Sequence, residues 1–245
     1  GMSAIGCGDT PGTRLQVAKM ALERGNPQKA LHESESLLKS LPQNREAMFI
    51  KAKSQLLMAR LEDSRSSLDR LLEYYPDDLE ARRLFVNWAL FRLKDQLQKT
   101  DFLANPHLQE QFNDALEVGR RQAGWLSLRN GHEAEALYTE ARLVSFEVAQ
   151  IEKKVASYKQ DAIRRDRTGD KQDPQVVSVV GHLNQRIGQL KSSAEHFLRD
   201  AISLKPDHYD ACQIYAWMLR GRNAWSEIWA LSQQLVKRKD LPALL

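Results

Sequence analysis

The feature that most constrains this chain is a recurrence of small residues and prolines. Ala30 lies five positions after Gly25, and Pro42 lies twelve after Ala30. Pro76 follows Pro42 by 34 residues, and Ala194 and Pro206 repeat the twelve-residue spacing. A self-match near this period is the mark of a helix-turn-helix repeat. The spacing has a physical basis. Small residues let two helices approach closely. Glycine takes the left-handed conformation that ends a first helix. Proline cannot continue a second helix, and it pushes the residue before it out of helical geometry. Such a chain folds as helix pairs, each burying one face on the next.

Composition agrees, and it excludes several functions. Alanine, leucine and charged residues dominate, with 12 glycines and 8 prolines in 245 residues, a balance that favours helices throughout. No window holds about 18 consecutive apolar residues, so no membrane-spanning helix is expected. A net charge of +4 is small for this length and does not by itself argue for nucleic acid, which calls for a denser basic patch. Cys7 and Cys212 form neither a disulfide framework nor a metal-ligand spacing. His208 and Cys212 share a helical face, but two ligands do not make a zinc site. There is no Gly-x-Ser-x-Gly elbow and no phosphate loop. The carboxylates are spread over solvated faces. The expectation is a protein with no enzymatic activity, no cofactor and no metal.

Taken in order, residues 1–12 read as a flexible terminus. Helices are expected over about 13–24, 27–40, 44–58, 61–75 and 79–97, with Asp77 and Asp78 offering a cap to the fifth. The repeat breaks at 94–116, and Asn105-Pro106 marks a loop. A helix over about 107–129 ends at Asn130-Gly131. Gly124, Gly131 and Ala136 restore the spacing of Ala18, Gly25 and Ala30. The next pattern, from His132 to about Asp166, is longer than an ordinary repeat helix. Its distal part from Lys153 is rich in charge and is expected to project past the repeats, less protected than its start. Residues 167–174 read as a polar linker between a repeat region at 13–166 and a C-terminal repeat region at 175–245. There Gly181 and Gly188 read as the small residue and the turn of a further pair. The total is about eleven helices.

These positions resemble the tetratricopeptide repeat (TPR) family. Ala18, Gly25, Ala30 and Pro42 match its pattern in the first unit. Ala52, Ala59, Ser64 and Pro76 match it in the second, with Ala59 where glycine is usual and Ser64 where alanine is usual. The consensus aromatic residues are mostly missing, so the match is by spacing. The resemblance implies an all-α fold: a right-handed superhelix of antiparallel helix pairs, with an irregular, long-helix middle section. It also implies a concave groove lined by the first helix of each pair. Carried over by position, the groove residues are Leu15, Lys19, Phe49, Lys53, Leu56, Arg83, Asn87 and Leu90. Further along, Arg121, Trp125 and Arg129 follow, then Trp217 and Arg220. The set mixes cations with apolar groups and holds no carboxylate. Only Arg83 and Asn87 resemble the clamp with which some members hold the acidic tails of chaperones, so that role is not expected.

The expected function is a scaffold that holds a peptide or protein segment carrying acidic and apolar groups. An alternative rests on Ala4-Ile-Gly-Cys7 followed by Gly8-Asp9, which resembles the end of a bacterial lipoprotein signal with Cys7 as the lipidated residue. On that reading the protein is an envelope component of an exopolysaccharide assembly or export system, periplasmic or at the outer membrane. If Met2 is the native start, it is cytoplasmic.

Overall fold

The computed structural model describes the backbone of residues 10–168 and 174–236, and the side chains of 10–165 and 174–235. Cys7 lies outside the described residues, as does most of the expected 167–174 linker. The described chain is helical from end to end, without strands. It forms α1 (Pro11–Glu23), α2 (Pro27–Ser40), α3 (Arg45–Leu57), α4 (Leu61–Tyr74), α5 (Leu79–Gln98), α6 (Pro106–Ser127), α7 (Glu133–Thr168), α8 (Pro174–Leu204), α9 (Tyr209–Gly221) and α10 (Trp225–Val236). None of these helices is long and apolar enough to cross a membrane. The chain divides into two compact units, residues 1–92 and 93–245, with the division inside α5.

Local chemistry sets the boundaries. Thr10, Asn26, Asn44 and Asp78 each accept a hydrogen bond from the amide three residues on, at 3.2, 3.0, 2.9 and 3.0 Å. Each satisfies a donor that a helix start leaves unpaired. Pro11, Pro27 and Pro106 occupy the first turns of α1, α2 and α6, where a missing N–H costs nothing. Pro42, Pro76 and Pro206 follow the ends of α2, α4 and α8. Gly25 takes φ +70° and Ala59 takes +56° at the corresponding turn, so the backbone keeps its left-handed residue even where the side chain is wrong for it.

In unit 1, Ala18, Ala30, Ala52 and Ser64 are all fully buried, at 0% exposure. Across the first pair, Ala18 and Ala30 share one apolar cluster. The Ser64 hydroxyl donates to the Ala52 carbonyl at 3.0 Å, which satisfies the polar atom that replaces the usual alanine. Leu37, Leu68 and Leu71 fill the layer between second and first helices. Trp88 is buried on α5 and donates its indole N–H to the Leu61 carbonyl at 2.8 Å.

Unit 2 departs from the expected pattern. The expected pair broken at Gly188 is a single 31-residue helix, α8, which reduces eleven helices to ten among the described residues. An interior glycine costs a helix only about 1 kcal/mol, and the packing of α8 along α7 overrides it. Val144, Val148, Leu190 and Ala194 share one apolar cluster, with Ile151 and Ile187 against it. Continuing outward, Tyr158 and Ala162 line one hollow together with Val176 and Val180. The two helices are therefore antiparallel, and their facing residues alternate at spacings of four and three, the pattern of a coiled-coil seam. The distal part of α7 does not project alone: the start of α8 runs beside it. At its base, Lys153 donates to the carbonyls of Leu97 and Lys99 at 2.8 and 3.2 Å, which caps the end of α5. A second cluster joins Ala141 on α7, Leu198, Ala201 and Ile202 on α8, Cys212 and Leu219 on α9, and Leu231 on α10.

Candidate functional site

In unit 1, the first helices α1 and α3 pack against each other as well as against their partners. Lys19 on α1 forms an ion pair with Glu46 on α3 at 2.5 Å, with both side chains nearly half exposed. Glu46, Phe49 and Lys53 lie at helical spacing on one face of α3. Phe49 is half-buried against the layer of Met48, Leu71 and Ala81. Two cations attend its ring. The Arg45 guanidinium lies 5.5 Å from the centroid and the Lys53 ammonium 5.9 Å, within cation–π range. On α5, Arg83 and Asn87 are exposed.

The expected groove residues differ in depth and pairing. Leu56 and Leu90 are core residues, at 9% and 4% exposure, because each turns inward beneath its own helix. Leu15 is half-buried against Ala18 and Ile50. The face is also not free of carboxylates, since Glu46 neutralises Lys19. Sequence reasoning missed the apolar groups that do stand on the surface: Phe91, one turn beyond Asn87, is 44% exposed, and Leu57, one turn beyond Lys53, is 58% exposed. The signal for both was present in the four-residue spacing from Lys53 and Asn87.

An electrostatic link ties α3 to the start of α5. Arg45 donates to both oxygens of Asp78 at 2.5 and 2.7 Å and to Glu80 at 2.6 Å. Burial pushes the Asp78 carboxyl up, but hydrogen bonds from Arg45 and the Ala81 amide outweigh it and hold Asp78 below its ordinary value. The same hydrogen bond to Asp78 raises the Arg45 pKa, against the opposing effect of burial.

In unit 2 the expected residues fall in two places. On α6, Arg121 is exposed and Trp125 is half-buried, with the Arg129 guanidinium 4.2 Å from its ring centroid. On the last pair, Trp217 is 76% exposed and Arg220 is also exposed. They border an apolar hollow of about 330 Å³ between α9 and α10, lined as well by Tyr209, Gln213, Trp225 and Ile228. On α10, Trp225 and Trp229 are 60% and 67% exposed.

The side chains considered for metal chemistry have structural roles. The His208 Nδ1 accepts from the Ala211 amide at 3.3 Å and caps α9, while its ring lies tilted against Tyr138 with centroids 4.6 Å apart. Burial, then the nearby Lys205, lowers the His208 pKa, so its neutral, accepting form is favoured. Cys212 is buried and its thiol points to the Pro206 carbonyl at 3.9 Å.

Helix hairpins stacked through small residues, with surface cations set against aromatic rings, define a helical-repeat protein. No protein-family model matches the sequence, and no curated protein does. Among solved structures, the chain is similar to a thermophilic TPR protein of Thermus thermophilus, with a TM-score of 0.41 and 20% identity over 86% of this chain and 99% of that one. It is also similar to the assembly chaperone of RpL4, Acl4 (residues 1–338), with a TM-score of 0.35 and 16% identity over 96% of this chain and 92% of that one. Likeness at this level decides no function; the helix pairs and their surfaces carry the rest.

Proposed function

We propose that the protein is a non-enzymatic interaction scaffold, and that unit 1 holds a peptide or protein segment on the first-helix face formed by Lys19, Phe49, Lys53, Arg83 and Asn87. The observation that carries this reading is Phe49, a partly open aromatic ring held between two cations on the face of α3. Phe91 and Leu57 extend the apolar surface, and Arg83 adds positive charge at the start of α5. Such a face suits a segment with at least one apolar side chain and one carboxylate. Exposed ion pairs contribute only about 0.2–1 kcal/mol each, so most of the affinity comes from the apolar anchor.

Selection of a displayed random-peptide library against the protein tests this. The selected peptides should combine an acidic residue with an aromatic or aliphatic one. Phe49→Ala should weaken them about tenfold or more, the loss of roughly 1.4 kcal/mol. Lys53→Glu with Arg83→Glu should weaken them and flatten the salt dependence. Peptides whose Kd is unchanged by both variants would remove the binding site from this face.

A further inference from the structure

The last helix pair repeats the first. α1 and α9 each have 13 residues, and 198 residues separate Ala18 from Ala216, Gly25 from Asn223 and Ala30 from Ile228. Asn223 takes φ +59°, the left-handed value that Gly25 and Ala59 hold at the same turn. By this register, Gln213, Ala216, Arg220 and Ile228 stand where Leu15, Ala18, Leu22 and Ala30 stand in the first pair. In the first pair those four residues share one apolar cluster with Ile50 of α3, the helix that follows. In the last pair they line the open hollow of about 330 Å³. Ala18 and Ala30 are fully buried, whereas Ala216 and Ile228 are half-buried and Gln213 and Arg220 are exposed. The hollow therefore has the form of a seat for a following first helix. The molecule itself shows what fills such a seat: an α-helix with an aliphatic side chain at the position of Ile50.

The difference between the two seats selects the helix that fits. Leu15 and Leu22 make the first seat apolar, and Gln213 and Arg220 replace them in the last. Among the described residues that line the hollow, Arg220 alone is charged, and no carboxylate stands beside it there. Its guanidinium has no ion pair or hydrogen bond among the described residues. Its neighbour Arg222, by contrast, is held by Glu195 and Glu227 at 3.2 and 2.9 Å. A helix that enters the seat gains by bringing a carboxylate on the flank beside its aliphatic group. Trp217 on α9 and Trp225 on α10 also line the hollow and are mainly exposed, and Trp with Arg is the usual composition of an interface anchor. A second copy fits less well. Face to face, two such hollows would offer Arg220 no carboxylate from their linings. Stacked end to end, α1 of a second copy would put Gln16 at the place of Ile50, on a helix with Arg14 and Lys19 and Glu23 as its one acid.

We propose that the hollow between α9 and α10 seats one helix of a partner protein, with an aliphatic side chain at the position of Ile50 and a glutamate for Arg220. The site lies within unit 2 and does not depend on the first-helix face of unit 1. The test uses a fluorescent, hydrocarbon-stapled helix, because a short free helix is marginal in water. It carries isoleucine at the seat, leucine one turn to either side and glutamate on the adjoining flank. A scrambled peptide of the same composition, a version with lysine in place of glutamate, and dodecanoate serve as comparisons. The full chain should bind the helix at least tenfold more tightly than the scrambled peptide. Trp217→Ala should weaken binding about tenfold. Arg220→Glu should weaken the glutamate helix about fivefold and bind the lysine helix more tightly than the glutamate one. Both variants replace exposed side chains, so helical circular dichroism and Tm should match the parent. The face of unit 1 also suits acidic and apolar groups, so each titration is repeated on Phe49→Ala, which should leave this binding unchanged. The proposal is overturned if the helix binds no better than the scrambled peptide, if Trp217→Ala and Arg220→Glu both bind as the parent does, or if Phe49→Ala abolishes binding. It is also overturned if dodecanoate binds more tightly than the helix, or if sedimentation shows a dimer that Trp217→Ala abolishes. A tenfold gain in affinity on removing residues 237–245 would overturn it too, since that segment would then be the occupant.

Discussion

The short pairs of unit 1 and the long pair of unit 2 use small residues in opposite ways. Ala18, Ala30, Ala52 and Ser64 lie wholly beneath a facing helix. Their size is a packing requirement, and anything larger must push two helices apart. Gly181 and Gly188 lie on an open helix face with free space where a side chain would stand. The helices of the first two pairs have 13 or 14 residues. Over that length, and with a neighbouring pair to pack on, the core face is covered. α7 and α8 have 36 and 31 residues, and over their outer halves each packs, among the described residues, on the other. A small residue read from sequence therefore marks either a close contact or an open surface. Coverage by neighbouring helices decides which.

The largest expected effect separates the two regions by core cost. Leu68→Ala, at a fully buried position of α4, should cost about 2–5 kcal/mol. Leu183→Ala, half-buried in the seam of α7 and α8, should cost about 1 kcal/mol, since less surface is withdrawn from water there. Urea denaturation measures both. Equal shifts would mean this long pair is packed as tightly as the repeats.

Next in size is Asp78→Ala, which removes a cap worth about 0.5–2 kcal/mol and two hydrogen bonds from Arg45. A total near 2 kcal/mol is expected. Because the folded carboxyl lies below its ordinary value, its contribution is complete above the ordinary carboxylate range near pH ~3.9 and is lost as pH falls through the lower folded value. The stability gap between parent and variant should be constant from about pH 5 to 8 and close under stronger acid. A gap that closes already at about pH 6 would assign the effect to another group.

The third prediction has the opposite sign. Gly181→Ala and Gly188→Ala should each stabilise α8 by about 1 kcal/mol, read as a rise in melting temperature. Glycine-to-alanine changes that destabilise would show that this side is packed after all.

The smallest effect concerns α9, which starts like a repeat helix but is capped by a histidine. Neutral His208 is favoured in the folded chain, through burial and then Lys205. Its contribution is present above the ordinary histidine range near pH ~6.5 and declines as pH falls toward the lower folded value. Melts at about pH 7.5 and 5.5 should differ by up to about 1 kcal/mol, and His208→Asn, which caps without titrating, should reduce that difference. An unchanged difference would exclude His208.

Much of the fold was legible because its signals are local. Asn26, Asn44 and Asp78 cap helices within three residues of themselves, and Gly25 and Ala59 mark turns by backbone conformation alone. α8 was misread because Gly188 resembles a turn signal at short range, while what overrides it is a partner helix more than 30 residues away in sequence. The heptad spacing from Val176 to Ala194 was the available clue. The candidate face was legible as a helix face, but not the depth of each residue on it: one position of rotation separates Leu56, buried, from Leu57, exposed. Nor was the Lys19–Glu46 pair legible, since it joins residues of different helices.

The links between successive pairs in unit 1 are graded, and that grading sets how the unit comes apart. Ahead of α3, the polar links from the first pair include Lys19–Glu46, which is exposed and therefore weak. The second pair is tied to α5 by Asp78 and Arg45, by the Trp88 indole on Leu61, and by Arg92 with Glu62. In a stack whose stability is a sum of neighbour terms, opening begins where the smallest term lies. Amides of α1 and α2 should then exchange through a partial opening that leaves α3, α4 and α5 protected. Unit 1 would lose order from its first pair inward, like a zip with one loose end.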